Sequence, residues 1–169
     1  MNNDQKGWRD SVFTIDWPKD PNLHIDLAIA HKLLLPIIEK HRANIEAWRF
    51  HRLADPTDNR RLFTFYLYSV ADVAVQVYDD ILNHSFLPTL RPFLKSDPSR
   101  PITDTNDHPN LEDNFPPKPE NPNEPPIELR RTWPSYMMGA SEMWVKLIDE
   151  ISRTMPEDPS SGIIARYEK

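Results

Sequence analysis

Proline sets the first constraint on this chain. There are 18 prolines against three glycines, and 12 of the prolines lie between Pro88 and Pro134, including the run PPKPENPNEPP. Proline lacks the N–H that a helix interior or a central strand needs. Polar, proline-rich sequence buries too little apolar area to offset the entropy of ordering it. Residues 95–126 are therefore expected to form a long, partly extended loop with polyproline character. Ile102, Leu111 and Phe115 are its anchor candidates. The loop is acidic too: Asp97 to Glu128 holds eight acids and two bases, which accounts for the whole net charge of −6. The rest of the chain is balanced, so a local basic pocket is compatible with the composition.

The glycines, Gly7, Gly139 and Gly162, are isolated, and there is no cysteine. No phosphate loop, dinucleotide fingerprint or nucleophile elbow can be written with them. Thiol chemistry, disulfides, Fe–S clusters and thiolate zinc sites are excluded. Acid/base or electrostatic chemistry, a histidine/carboxylate metal site, or plain binding remain. The opening MNNDQKGWRDS lacks the basic-then-apolar pattern of a signal peptide, and no 18 apolar residues run together, so a cytoplasmic protein without a membrane span is expected. The acidic balance argues against nucleic acid as a partner.

Hydrophobic periodicity organises what flanks the loop. Ser11 to Trp17 alternates with period two and stops at Pro18, as a strand does. Asp20-Pro21-Asn22 signals a helix start, and Leu23, Leu27, Ala30, Leu34 and Ile38 keep a helical stripe that Pro36 should kink or end near Leu34. Residues 45–53 and 61–68 read as strands, RLFTFYLY being the strongest β signal. Ser69 and Asp72 resemble a capping box ahead of a helix whose buried face carries Val70, Val73, Ala74, Val77 and Ile81. The expected fold is α+β: a ferredoxin-like βαββα unit with an antiparallel sheet, lacking its last strand. Three regions follow: a core over 8–94, the acidic loop over 95–126, and a C-terminal helix and tail over 127–169. That helix should open at Trp133-Pro134, with proline in its first turn. Tyr136, Ala140, Met143, Trp144, Leu147, Ile148 and Ile151 form its apolar stripe. Ile163, Ile164 and Tyr167 are docking candidates in the tail.

The hairpin carries the candidate site. Closing it symmetrically around Pro56 places Arg52 opposite Arg61, Phe50 opposite Phe63 and Trp48 opposite Phe65, all on one face. An aromatic core stripe then runs into two arginines. Like charges facing each other are unfavourable, and a guanidinium does not escape by losing its proton. An anion is expected between them. Either Asp55 and Asp58 fold back from the connecting loop, or a carboxylate or phosphate ligand is gripped by the two planar forks. The opposite face, with Ala47, Arg49, His51, Leu62, Thr64, Tyr66 and Tyr68, is mixed and calls for a cover: a helix, the C-terminal segment or a second subunit. The six histidines include no H-E-x-x-H and no i, i+4 pair, so no metal site is expected; His24 with Asp26 would need distant ligands. No general acid or base is assigned.

The stretch WRFHRLADPTDNRRLF resembles the core motif of the thiopeptide-type biosynthesis domain, which is also the C-terminal elimination domain of lantibiotic dehydratases. The family pattern runs W-(F/Y)-F-x-R-Y-x-D-P-x-x-H-(L/I)-R-L-R. Trp48, Phe50, Arg52, Asp55, Pro56, Arg61 and Leu62 match it, with one residue fewer between the first arginine and the aspartate. The family's histidine falls on Asn59, its tyrosine on Leu53 and its last arginine on Phe63. Trp8, the first strand and LLLPII (33–38) look like the family's opening strand and proline-bearing helix. The resemblance implies a cofactor-free lyase or cyclase acting on ribosomal peptides in natural-product biosynthesis. It would cast Arg52 and Arg61 as the groups holding an anionic leaving group or the peptide backbone, supported by Trp48, Phe50, Asp55 and Asn59. The alternative is a non-catalytic binding or assembly protein that uses the third helix or the proline-rich strap. Expected partners are accordingly a peptide or small anionic substrate, or a protein, which includes a second copy.

Overall fold

A computed structural model describes residues 5–16, 24–55, 60–99, 102–103 and 127–154. The chain is α+β. The strands are β1 (Lys6–Asp16), β2 (Ala47–Asp55), β3 (Arg60–Val70) and a two-residue β4 (Ile102–Thr103). They form an antiparallel sheet in the order β2-β3-β1-β4. Helices α1 (His24–Ala28) and α2 (Leu35–His41) join β1 to β2. Helices α3 (Ala71–Leu82) and α4 (Leu87–Leu90) follow β3, and α5 (Ile127–Thr154) closes the described chain. No described helix is long and apolar enough to cross a membrane.

Alternation decides the sheet's inner face. Ser11, Phe13 and Ile15 of β1, Trp48 and Phe50 of β2, and Phe63, Phe65 and Leu67 of β3 are buried on it. Ile25, Ile29, Leu33, Leu34 and Ile38 from the first helical segment close over them, with Val77 and Ile81 of α3. Each such large side chain contributes roughly 1.5–3 kcal/mol by leaving water. Phe50 is the aromatic hub, with ring centroids 5.3 Å from both Trp48 and Phe63, 5.8 Å from Phe65 and 5.7 Å from Trp144.

Several local expectations are refined or corrected. Pro36 does not end its helix near Leu34; the irregularity there is a π turn over Ile29–Leu34 that joins α1 to α2, in which the Leu35 N–H donates to Ala30 O, five residues back. A wider turn beside a proline re-registers the helix where one donor is missing. The capping box does not form, because the Ser69 hydroxyl donates to Val70 O instead. Helix α5 starts at Ile127, so Pro134 lies inside it rather than in its first turn. The start of the expected loop is also ordered against β1: Lys95 and Ser99 donate backbone N–H groups to Thr14 O and Val12 O. Beyond them, Ile102 and Thr103 pair with Asp10 and Arg9. That pairing puts a short strand where none was expected. Leu111, Phe115 and the tail from Met155 lie outside the described residues.

The outer face is covered at one end, while His51 and Leu53 at the other are exposed. At the covered end Trp8, Ala47 and Tyr68 are buried, with Met138 of α5 packed on them. The Arg49 guanidinium lies over Tyr66 and Trp8, 4.6 and 5.7 Å from the ring centroids.

Candidate functional site

The hairpin register differs from the symmetric closure around Pro56. Strand β2 runs on to Asp55, whose partner is Arg60, so four residues (56–59) connect the strands. The centre of the turn therefore sits one position later, and every pairing shifts by two. Arg52 stands opposite Phe63, Arg61 opposite Ala54, Phe50 opposite Phe65 and Trp48 opposite Leu67. A two-residue shift preserves parity, so Arg52 and Arg61 remain on one face as diagonal neighbours. His51 is on the other face, 6.4 Å from the Tyr66 ring centre, and its pKa is pushed down by burial and by Arg49.

The anion between the arginines comes from a different element than the connecting loop. Asp26, in α1, is fully buried. Its Oδ1 accepts from Arg61 Nε at 3.1 Å and stands 3.1 Å from Arg61 Nη2, while its Oδ2 is 3.2 Å from Arg52 Nε. Both arginines thus converge on a helix residue that the hairpin alone did not point to. Asp58 and Asn59, and the side chain of Asp55, lie outside the described residues. Among the described residues no three His, Asp or Glu side chains gather as a metal ion requires.

The two arginines then part. The Arg61 side chain is 3% exposed and that of Arg52 37%. Arg52 sits over Trp144, its guanidinium carbon 4.7 Å from the ring centroid. Phe50, Arg52, Ala140, Ser141 and Trp144 line a cleft of about 210 Å³ at this point. Ser141 ties its two walls together, its Oγ accepting the Phe50 backbone N–H at 3.1 Å. Arg52 thus meets Asp26 at Nε and Trp144 at its guanidinium face, and lines the cleft. Trp48 and Phe50 support the site from the core side as buried rings.

Sequence reasoning missed Asp26, Ser141 and Trp144 as site residues. Asp26 had a signal: it is an acid inside an apolar helical stretch, between Ile25 and Ala28-Ile29, and carboxylates are almost never fully buried unless paired. Ser141 and Trp144 depend on how α5 docks, for which the local sequence holds no signal.

A second cluster joins the same helix to the π turn. Buried His31 sets Nε2 3.2 Å from Asp149 Oδ1 and 3.5 Å from Ser152 Oγ. The composition is that of a serine-histidine-aspartate triad, but both contacts use the same ring nitrogen. A triad needs the nucleophile and the orienting acid on opposite nitrogens. This cluster clamps α5 to the π turn.

Comparisons with known proteins returned no matching family model, no matching curated protein and no matching solved structure.

Proposed function

We propose that this chain is a non-catalytic recognition domain that takes the carboxylate of a peptide or protein at the Arg52–Trp144 cleft. One observation carries the reading: Arg52, its side chain 37% exposed, is held by buried Asp26 at Nε and by the Trp144 ring, and lines an aromatic-walled cleft. A planar guanidinium fork at a cleft matches a carboxylate, and the neighbouring ring keeps it oriented at little entropic cost. Arg61 acts behind it, fixing Asp26 and through it Arg52.

The lyase or cyclase reading would use the same anion contact but also needs a proton donor or acceptor at the cleft. Ser141 is the one hydroxyl among the lining residues, and no His, Asp, Glu or Lys stands among them. Binding rather than turnover follows best from this arrangement. The strand order, with β4 antiparallel to β1, supports a ferredoxin-like reading of the βαββα unit.

The test compares N-acetyl-phenylalanine with its amide by NMR, following the Arg52 Nε–Hε and Trp144 Nε1–Hε1 signals. The acid should move both signals in wild type, and the Trp144 signal should stay unmoved in Arg52→Gln. Equal shifts from the amide would rule out a carboxylate site.

A further inference from the structure

Strand β2 is the outermost of the described strands, with β3 on one side of it. In an antiparallel ladder the N–H and C=O of every second residue point to the same side. The Phe50 N–H is turned away from β3, where it meets Ser141 Oγ of α5. The backbone groups of Arg52 and Ala54 therefore point away from β3 too.

Helix α5 covers only the first part of that edge. Met138 packs on Ala47 and its neighbours on the outer face, and Ser141 stands at the edge beside Phe50. Trp144 lies on the inner face against Phe50, Phe63 and Arg52. The helix thus crosses from one face to the other at Phe50. Past the crossing, His51, Arg52 and Leu53 are all exposed, Leu53 at 53%. An open strand edge offers its backbone donors and acceptors to a further strand.

We infer that this edge takes an extended segment of another protein as an added strand, with an acidic residue facing Arg52 and an apolar residue on either side of it. The inference rests on the carboxylate reading above and names the bearer of the carboxylate. Side chains on an added strand alternate as those of β2 do. The residue opposite Arg52 lies on the inner face, where the Trp144 cleft opens. Its neighbours in the segment fall on the outer face beside Leu53. Main-chain bonds hold such a segment, and alternate side chains select it. Charge decides the occupant. Among the described residues lining the cleft, Arg52 is the one that carries charge, and its partner Asp26 is shared with Arg61. A second copy paired edge to edge about Arg52 or Leu53 would set the two Arg52 side chains opposite or diagonal to each other on one face, which is repulsive. An acidic residue there meets attraction instead.

The experiment titrates the full chain with the acetylated, amidated pentapeptide Thr-Val-Glu-Val-Thr and follows backbone amide exchange by NMR. Saturation should slow exchange at the Arg52 and Ala54 amides about tenfold and leave the Leu53 amide, which points to β3, unchanged. The same peptide with glutamine in place of glutamate should bind about tenfold more weakly. Ala54→Pro removes an outward N–H without breaking the ladder to β3, and should weaken the glutamate peptide about tenfold. Circular dichroism would verify that the variant folds. Equal affinity of Ala54→Pro and wild type would overturn the added strand. So would tighter binding of a glutamate carried on a lactam-bridged helix, or a concentration-dependent dimer of the chain alone that protects the same two amides. Equal affinity for the glutamine peptide would overturn the acidic partner. If N-acetyl-phenylalanine moves the Trp144 signal while the pentapeptide protects neither amide, the added strand is refuted and the carboxylate site stands. If neither effect is seen, both fall.

Discussion

Arg52 and Arg61 share a sheet face and a carboxylate, yet they end in different surroundings. Arg61 is closed in by the first helical segment and the sheet, and bonds Asp26 through two nitrogens. Arg52 meets Asp26 through one nitrogen and otherwise faces Trp144 and the cleft. The same side chain is structural in one place and available in the other, and distance from the sheet's margin sets the difference. Burial removes competing water, so the Arg61–Asp26 contact is strong only while both partners are present. At the margin, water still reaches Arg52, so its pairing with Asp26 contributes less to stability.

The largest expected effect removes what the two have in common. Asp26→Asn keeps the volume but leaves two guanidinium groups at the same site without their shared carboxylate. Breaking a buried pair in this way costs about 3–5 kcal/mol. Urea unfolding followed by circular dichroism should show a large drop in midpoint with little change in slope. A variant as stable as wild type would mean that Asp26 is not the group holding the arginines together.

Separating the arginines sharpens the contrast. Arg61→Leu strands a buried carboxylate and should cost about 3 kcal/mol. Arg52→Leu removes a half-exposed partner and should cost about 1 kcal/mol, while abolishing the ligand-dependent shift at Trp144. Equal costs, or the reverse order, would break the distinction between a structural and an available arginine.

How much of this was legible beforehand follows from the range of each interaction. Strand periodicity located β2, β3 and most of β1, and parity survived a two-residue error in register, which is why Arg52 and Arg61 were placed together. The error arose at the turn: a strand running to the residue before Pro56 shifts the centre by one position, and local sequence does not say where pairing stops. Asp26 is far from the hairpin in sequence, so its meeting with Arg61 depends on tertiary packing alone. Helix α5 shows the same limit. Its periodicity announced a helix, but Leu147 and Ile148 are equally apolar, and only the docking against β2 and the π turn decides that Ile148 is buried and Leu147 is not.

Asp80 provides a second carboxylate against which to calibrate the pair, and the smallest expected effect. It joins α2 to α3, 2.6 Å from His41 Nε2 and 2.7 Å from Lys40 Nζ. Burial alone would raise its pKa, but the hydrogen bonds from Lys40 and His41 outweigh that, and the net shift is downward. A carboxylate held below its unfolded value contributes stability that is complete above that value, about pH 4, and lost as pH falls through the folded value. Since Asp80 is partly exposed, the contribution is below about 1 kcal/mol. Wild type should therefore lose slightly more stability than Asp80→Asn between pH 5 and pH 3, measured as urea midpoints. The two should differ by a near-constant amount above pH 5. Parallel profiles across the whole range would show that the Lys40–His41–Asp80 contact is not formed in solution. The acid-dependent loss should also be unchanged in an Arg52→Leu background, because the two carboxylates lie on different elements with no shared partner.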